Sequence, residues 1–516
     1  MQSFALAGAT LLLAALSAGG AEPATSAWVY PGPDGKLVYK TTPAGDRIMD
    51  FSYAGYMGGG VAIPEVPAKV TVCPTGGDDD TATIQAAIDQ LAGTPVDGGF
   101  RGAVLLAPGV FKCAGTITIS AGGVVLRGSG SGSGGSTIQL TGRTHLAVAV
   151  RSPRGDRAGA DTSGIKTIIS DAYVPGGSMS FHVADAAGFS AGGWVSVRRP
   201  VTAGWVHFMH MDDLVRDGRP QTWIRAGSTT NAERKIVAVS GNTITLDVPL
   251  SDSFDSRYLN PPGTAVVKIP PPALISQCGV EHLHIESPRQ ETNHEQPHFT
   301  ALRITGQDCW ARDVVIDETM NSVGVGGRRI TLQHVTVNRK ALHPGASKPA
   351  EFAPNGTQVL LDRCAVNADN VWFSATGAGV SGPVVLLNCT FHGRGRAEAH
   401  QRWSTGLLYD NCTAAEGGLE IRNRGSMGSG HGWSLGWGVL WNCRAGELLV
   451  QNPPGAVNWV IGCIGGMSSA PRPFGTGPAL PGGTVDSPGV PVTPQSLYLA
   501  QLAERLGPQA RKNIGY

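Results

Sequence analysis

Charge is scarce in this sequence, and neither sign dominates. Charged residues make up 15% of the 516 positions, with Lys+Arg at 40 and Asp+Glu at 39, so the formal net charge is +1. A protein that binds nucleic acid through bulk charge carries a basic surplus, and this class is therefore excluded. Cysteine is also sparse, at 9 residues in the whole chain. That number excludes a disulfide scaffold for a protein of this length.

Long hydrophobic runs are missing beyond the N-terminus, so we expect no membrane span. The exception is an apolar stretch from Phe4 to Leu16, followed by small residues up to Ala21. This order is typical of a secretory signal peptide over residues 1–21, although the stretch before Phe4 lacks Lys and Arg. An ordinary apolar N-terminus is the alternative. We predict a secreted or periplasmic protein.

Glycine and apolar residues are plentiful. The chain has 72 Gly and 35 Pro, and hydrophobic residues make up 41% of it. Short apolar runs separated by many turn formers predict a large core built from many strands.

A strand that ends in a polar residue and a cysteine returns along the second half of the chain, as in Leu387-Asn388-Cys389. Eight positions fill this slot: His282, Asp313, His334, Cys364, Cys389, Cys412, Cys443 and Cys463. Their separations of 31, 21, 30, 25, 23, 31 and 20 residues are typical of a solenoid. Because parallel strands need long crossovers, the repeat predicts one strand-lined coil per period. We expect the cysteines from Cys364 to Cys443 to stack as buried thiols, since one ligand per coil cannot form a tetrahedral metal site.

The N-terminal part of the chain predicts a capped helix followed by strands. Apolar residues from Ile84 to Leu91 follow helical spacing after Asp78-Asp79-Asp80-Thr81, which supplies an Asp/Thr N-cap. Together with Val104-Leu105-Leu106-Ala107-Pro108-Gly109 and Val125-Leu126-Arg127-Gly128, this order resembles the start of pectate-lyase-superfamily right-handed β-helix proteins. The resemblance implies that fold, and it implies activity on polysaccharides. The superfamily includes lyases, glycoside hydrolases and binding proteins.

The predicted fold is all-β: a single-stranded right-handed parallel β-helix with an N-terminal cap helix, an inserted β module and a C-terminal helix. We expect Thr493-Pro494 to begin the last helix and Gly507-Pro508 to end it. The predicted parts are a signal peptide at 1–21, an N-terminal arm at 22–70, the cap helix and first coils at 71–165, the inserted module at 166–270, the main β-helix at 271–470, and a Pro/Gly-rich tether with the C-terminal helix at 471–516.

Cationic and aromatic side chains collect on neighbouring coils of the predicted main β-helix. Alternation places His400 and Arg402 on one face of a strand, and Arg422 and Arg424 on the matching face of the next coil. The candidate catalytic residues are His400, Arg402, Lys348 and Arg424. The candidate substrate-binding residues are Arg422, Trp403, Trp372, Asn423, His431, Glu420 and Lys340.

These residue types suit a polysaccharide lyase that cleaves a uronate-containing polymer by β-elimination. Such an enzyme neutralises a carboxylate, removes the neighbouring C5 proton and protonates the leaving O4. Guanidinium forks match carboxylates, and tryptophan rings stack on sugars. We expect the arginines and Lys348 to neutralise, and His400 or Lys348 to act as the base. A set of solvated ion pairs is the alternative interpretation of these charges.

Two other functions remain open. A glycoside hydrolase needs two carboxyl groups around one bond, for which the candidates are Glu351, Asp369, Glu398 and Glu420. A non-catalytic carbohydrate-binding surface protein would need only the tryptophans and arginines. Calcium is possible on the resemblance, but the sequence has no clear ligand motif for it, so no cofactor or metal site is predicted. The expected partner is an acidic polysaccharide or oligosaccharide, and the oligomeric state stays open.

Overall fold

A stack of parallel strands dominates the computed structural model, which describes residues 24–153, 164–345, 347–475 and 477–516. The predicted signal peptide lies outside these ranges. The strands of the stack are Ala68–Val72, Gly102–Leu106, Gly109–Cys113, Ile117–Ile119, Val124–Arg127, Ser136–Leu140, Leu146–Arg151, Gly279–Glu286, Thr300–Asp317, Val323–Arg339, Ala350–Pro354, Thr357–Asp362, Ala365–Ala368, Trp372–Thr376, Ser381–Leu387, Thr390–His392, Arg396–Ala399, Ser404–Asp410, Thr413–Ile421, Leu435–Gly436, Val439–Trp441, Arg444–Val450, Trp459–Ile461, Ile464–Met467 and Thr484–Asp486.

Each coil contributes strands to three faces. In one coil, Thr357–Asp362 lies on face A, Ala365–Ala368 on face B and Trp372–Thr376 on face C. The next coil repeats this order with Ser381–Leu387, Thr390–His392 and Arg396–Ala399. Every strand of the first coil pairs in parallel with its equivalent in the second. This pairing defines a single-stranded parallel β-helix, and the predicted fold is confirmed.

A residue in the left-handed region turns the chain from face A to face B. These corner residues have φ between 50° and 64°: His282, Asp313, His334, Arg363, Asn388, Asn411, Asn442 and Gly462. The residue after each corner lies in the core, as Val335 and Cys364 show. The eight predicted slots therefore combined two different positions of the coil. The His and Asp residues are corners, whereas each cysteine lies one residue after the corner of its own coil. Asn, Asp and His are enriched in this backbone region, which explains the shared pattern.

The cysteines form a ladder inside the cylinder. Cys364, Cys389, Cys412 and Cys443 are buried and free. Each thiol donates to a carbonyl of the preceding coil, as Cys412 Sγ does to Leu386 O at 3.3 Å. Burial raises the pKa of the Cys389 and Cys443 thiols well above its ordinary value. The ladder packs the core as a column of small apolar groups.

Helix α1, Thr81–Ala92, covers the first coil as predicted. It buries Ile84, Ala87, Ile88 and Leu91. Asp79 Oδ1 accepts a hydrogen bond from Thr81 N at 2.9 Å and so satisfies one free amide of the first turn.

The inserted module is a six-stranded antiparallel sheet. Its strands, in spatial order, are Lys166–Ile168, Ala265–Ile269, Trp194–Pro200, Thr229–Ser240, Thr243–Leu246 and Ser180–His182. Helices α2, Ala203–Phe208, and α3, Ser256–Leu259, belong to the same region, with two short pairs, Tyr173–Val174 with Phe254–Asp255 and Val215–Arg216 with Arg219–Pro220. The module packs on the outward side of face A, where Leu360 and Val385 share a hydrophobic cluster with Val197.

The C-terminal helix α4, Leu497–Leu506, begins later than predicted, and α5, Gln509–Asn513, follows it. Its N-cap is Ser496, whose Oγ accepts from Leu499 N at 3.1 Å. Val492–Thr493 instead pairs in parallel with Ala24–Thr25, so its backbone is extended rather than helical. The predicted tether also contains Thr484–Asp486, which adds a strand to the stack.

The C-terminal segment from Val492 to Tyr516 lies along the row of corners. Four successive corner side chains donate to it: Arg363 to Ile514 O at 2.8 Å, Asn388 to Tyr516 Oη at 2.8 Å, Asn411 to Gln495 O at 3.0 Å and Asn442 to Val492 O at 2.8 Å. This segment and the N-terminal arm together cover this side of the cylinder. The arm contains a hairpin, Val29–Pro31 with Leu37–Tyr39, and a 3₁₀ turn at Tyr56–Gly58. None of the helices in the described ranges has the length and apolar character needed to cross a membrane.

Candidate active site

Face C carries a cleft of about 360 Å³ on its outward side, here termed the charged cleft. It is lined by Lys348, Trp372, Arg394, Arg396, Glu398, Glu416, Glu420, Arg422, Arg424 and Met427. Trp372 pairs with Arg396, which in turn pairs with Gly418, so neighbouring coils build it together. Five predicted site residues therefore meet here: Lys348, Trp372, Glu420, Arg422 and Arg424.

Strand alternation directs the charges outward. Ala397 and Leu419 point into the core of the cylinder. Glu398 and Glu420, the residues that follow them, are register partners on neighbouring coils. Their backbones are therefore about 4.8 Å apart, the usual spacing between paired strands.

Glu398 is the most deeply buried acid of the cleft, with a side chain 1% exposed. Arg424 Nη1 donates to Glu398 Oε1 at 2.6 Å, and His400 Nδ1 bonds the same oxygen. Arg424 Nη1 also donates to the backbone oxygen of His400 at 3.1 Å. Within the described residues, Glu398 Oε2 has no hydrogen-bond partner. One oxygen thus fixes Arg424 and His400, and the other is buried without a partner among the described residues.

Glu420 lies between cations and a second acid. Arg396 Nε donates to Glu420 Oε1 at 2.8 Å, and its Nη2 donates to Glu447 Oε2 at 2.6 Å. Burial, and next the charge of Glu398, raise the pKa of Glu420 above its ordinary value. A carboxylate with a raised pKa is a stronger base than an ordinary one.

Three cations of the charged cleft are left over. Among the described residues, Lys348, Arg394 and Arg422 form no ion pair with a carboxylate. The one hydrogen bond from the Arg422 side chain to a described residue is a long one, from Nε to Asn423 O at 3.4 Å. Burial, and next the charge of Arg396, lower the pKa of Lys348. An ammonium with a lowered pKa is a stronger acid than an ordinary lysine.

Trp372 holds cations at the edge of the cleft. Lys348 Nζ lies 5.0 Å from the centre of its ring, and Arg424 Cζ lies 5.1 Å from it. The His400 ring lies edge-on at 5.9 Å. These distances are those of cation–π contacts, so the indole helps to position the two cations.

Arg402 and Trp403 lie on the other side of the turn that follows His400. The strand ends at Ala399, and both residues have positive φ, so the alternation used to place them stops before they are reached. The Arg402 guanidinium donates to Trp223 O at 2.8 Å and to Ser429 O at 2.9 Å. Trp403 is 3% exposed, and its Nε1 donates to Asp252 Oδ2 at 2.9 Å. Both side chains anchor the inserted module.

The remaining predicted residues lie beside the charged cleft or away from it. The His431 ring lies 4.9 Å from that of His400, and burial, followed by the charge of Arg424, lowers its pKa to about 3. Asn423 is buried and accepts from Gly425 N at 2.8 Å, which shapes the turn. Lys340 is exposed and does not line the cleft.

Sequence reasoning missed Arg394, Arg396 and Glu416, and it named Glu398 only for a hydrolase. The signal was present, because Arg396 and Glu398 alternate on one predicted strand next to His400. No group of three or more His, Cys, Asp or Glu side chains that could hold a metal ion occurs in the described ranges.

Comparisons with known proteins add no family. No protein-family model matches the chain, and no curated protein matches it. Among solved structures, the tailspike protein gp49 from Pseudomonas phage LKA1 is 14% identical over 75% of this chain and 69% of its own, with a TM-score of 0.38. A tailspike of E. coli bacteriophage HK620, in complex with a pentasaccharide, is 10% identical over 78% of this chain and 58% of its own, with a TM-score of 0.39.

The A-module of a mannuronan C-5 epimerase from Azotobacter vinelandii is 14% identical over 87% of this chain and 100% of its own, with a TM-score of 0.27. These scores are too low to support an inference. The fold therefore rests on the strand pairing above, and function is inferred from the residues of the site.

Proposed function

We propose that the protein is a polysaccharide-active enzyme, and specifically a lyase that cleaves a uronate-containing polymer by β-elimination. One observation carries the proposal: the charged cleft is lined by five cations and three carboxylates of the described chain, and Lys348, Arg394 and Arg422 have no carboxylate partner there. Cations held together without anions repel one another, and a bound anionic sugar relieves that repulsion.

Arg422 is the group we assign to the substrate carboxylate. Its guanidinium lines the charged cleft and donates one long hydrogen bond to the described chain. A planar fork binds a carboxylate through two parallel hydrogen bonds. Neutralising that carboxylate makes the neighbouring C5 proton easier to remove, because negative charge develops beside it.

We assign the proton transfers to Glu420 and Lys348, which both line the charged cleft and whose pKa values are shifted in the directions that suit a base and an acid. Glu420, with its raised pKa, is the base that takes the C5 proton. Lys348, with its lowered pKa, is the acid that gives a proton to O4 as the C4–O4 bond breaks. The base role needs Glu420 ionised, and the acid role needs Lys348 protonated. This reverses the role that the sequence suggested for Lys348.

Glu398 and His400 are positioning residues in this scheme. Glu398 Oε1 bonds both Arg424 and His400, and this buried arrangement fixes the position of the Arg424 guanidinium in the wall of the cleft. A rigid wall holds the substrate carboxylate and the C5 proton at their respective partners.

A panel of polymers tests the proposal. Purified protein is incubated with pectate, alginate and hyaluronan, and with uncharged glucan and xylan, while ultraviolet absorbance and reducing ends are followed. We expect absorbance from an unsaturated uronate with at least one acidic polymer. Arg422→Gln should lower kcat/KM about 100-fold, whereas Arg444→Gln, which removes an exposed guanidinium on face B, should leave it unchanged. Absence of the absorbance with every acidic polymer rejects the lyase.

A glycoside hydrolase is the second candidate, and the register favours it. Glu398 and Glu420 are paired residues on neighbouring coils, so two carboxyl groups share one small area. Hydrolysis by such a pair gives reducing ends without ultraviolet absorbance. Retention of a polymer without any product would instead indicate a non-catalytic binding protein. In either case, we propose that the protein is secreted or periplasmic, which the signal peptide predicted over residues 1–21 supports.

A further inference from the structure

A second cavity, of about 390 Å³, lies where the inserted module meets the β-helix. Its aromatic lining gives it the name aromatic cavity: Tyr173, Trp205, Phe208, Tyr258, Trp403 and Trp437. Phe208 and Tyr258 are half-buried, and their rings stack with centres 3.9 Å apart and planes inclined by 16°. Concave sites rich in aromatic rings with a few polar groups are the usual form of a small-molecule site.

A buried guanidinium lines this cavity with free donors. Arg199 is 4% exposed, and its Cζ lies 3.8 Å from the centre of the Trp205 ring. Its Nε lies 3.4 Å from Asp252 Oδ2, but neither Nε nor Nη1 has a hydrogen-bond partner in the described chain. Asp252 is already engaged, since it accepts from the indole nitrogens of Trp403 and Trp437 at 2.9 and 3.2 Å. Buried donors without an acceptor are unfavourable, so an oxygen-bearing ligand would stabilise this site.

The charge of the aromatic cavity differs from that of the charged cleft. Among the described residues, three carboxylates and two guanidiniums line it: Asp46, Asp252 and Asp255 with Arg199 and Arg257. Arg257 is paired with Asp255 at 2.6 Å. There is no surplus of cations for an acidic sugar, and the carboxylates are acceptors for hydroxyl groups.

We propose that the aromatic cavity binds an uncharged sugar residue of a glycan. The aromatic side chains pack on its C–H face, and the donors of Arg199 that lack an acceptor bond one of its oxygens. This binding site does not depend on the proposed lyase activity, because it needs no reaction and uses none of the residues assigned to one.

Calorimetric titration of the full chain tests the site with cellohexaose, maltohexaose and mannohexaose as uncharged probes, and with hexagalacturonate as the acidic counterpart. We expect at least one uncharged hexaose to bind. Phe208→Ala and Tyr258→Ala should each weaken that binding about tenfold, since each removes a half-buried ring from the cavity. Phe474→Ala is the matched control, because Phe474 is 63% exposed and lines neither cavity.

Arg199→Gln should weaken binding further, and circular dichroism would show whether that variant folds. Arg422→Gln should retain hexaose binding, which separates this site from the charged cleft. Three outcomes overturn the proposal: no uncharged hexaose binds, binding is unchanged in both Phe208→Ala and Tyr258→Ala, or only hexagalacturonate binds in a way that these two variants weaken.

Discussion

The charged cleft and the aromatic cavity lie on opposite sides of one short turn, and they differ in origin as well as in chemistry. The cleft is built by neighbouring coils that pair in parallel, with a register shift beside Trp372, so its charges lie on segments close together in the chain. The cavity is built by segments far apart in the chain, including α2, α3 and the turn at Trp403. Local order therefore determines the first, and packing of the inserted module determines the second.

The turn itself shows how sharply the two regions are divided. Glu398 and His400 contact Arg424 in the charged cleft, whereas Arg402 and Trp403, only a few residues later, contact the module. Positive φ at Arg402 and Trp403 reverses the direction of the side chains. The following changes test this division, from the largest expected effect to the smallest.

Removal of the proposed acid should have the largest effect. The wild-type rate needs Glu420 ionised, so it falls as pH drops through the raised pKa of Glu420, and it needs Lys348 protonated, so it falls as pH rises through the lowered pKa of Lys348. Lys348→Met should lower kcat by about 10²- to 10⁴-fold and abolish the alkaline limb of the pH–rate profile. Lys36→Met, at an exposed position of the N-terminal hairpin region, should change neither. An alkaline limb that persists in Lys348→Met would remove the role of Lys348 as the acid.

Glu398→Gln should damage both stability and turnover. The substitution leaves the Arg424 guanidinium, whose side chain is 7% exposed, without its carboxylate partner. We expect the free energy of unfolding in urea to fall by about 3–5 kcal/mol and turnover to fall about tenfold as His400 and Arg424 lose their fixed positions. Glu416→Gln, at an exposed position on the rim of the cleft, should have a free energy of unfolding within about 0.5 kcal/mol of the wild-type value. Equal stability of the two variants would show that the Glu398 pair is not a structural element of the cleft.

Arg402→Ala distinguishes the sequence prediction from the structure. A catalytic Arg402 would make this change abolish turnover. In the structure its guanidinium bonds Trp223 O and Ser429 O, so we expect a loss of about 1–3 kcal/mol of stability. Turnover at a temperature where the variant is folded should stay within about threefold of wild type. A loss of several orders of magnitude with an unchanged melting temperature would return Arg402 to the catalytic set.

Cys412→Ser should have the smallest effect, because it alters the core beneath face B and neither cavity. The thiol donates to Leu386 O at 3.3 Å, and a serine hydroxyl can keep that bond while adding a more polar group to an apolar column. We expect a loss of about 1 kcal/mol in thermal unfolding, with turnover and hexaose binding unchanged. Complete loss of turnover in the folded variant would contradict a purely packing role.

The sequence was sufficient for features that depend on period. The cysteines of successive coils and the spacing of Ile84 to Leu91 predicted the cylinder and its cap helix, because core packing imposes those patterns directly. The predicted repeat aligned His334, a corner residue, with Cys364, the core residue that follows a corner, and this error of one residue shows the limit of such patterns. A corner residue and the core residue that follows it occupy the same place in a loosely aligned repeat, and only the backbone angles separate them.

The site was predictable only as far as strands stayed regular. The structure places Arg422, Arg424 and Glu420 beside Lys348 in the charged cleft, and Leu419 and Ile421 point into the core on either side of Glu420. The aromatic cavity could not be predicted, since the side chains of Trp205 and Trp437 meet only through docking of the inserted module. The donors of Arg199 become unsatisfied through the same docking, and no sequence pattern records that.

The hydrogen bonds between the row of corners and the C-terminal segment also determine which contacts of the protein form last. The donor on Arg363 is made long before its acceptor on Ile514, since 151 residues separate them. Until the C-terminal segment docks, the amide and guanidinium groups along that wall bond to water instead of to protein. Contacts this distant in sequence slow the last stage of folding. The coils can pair with one another before the C-terminal segment docks, but the row of corners along the side of the cylinder is covered only when that segment is in place.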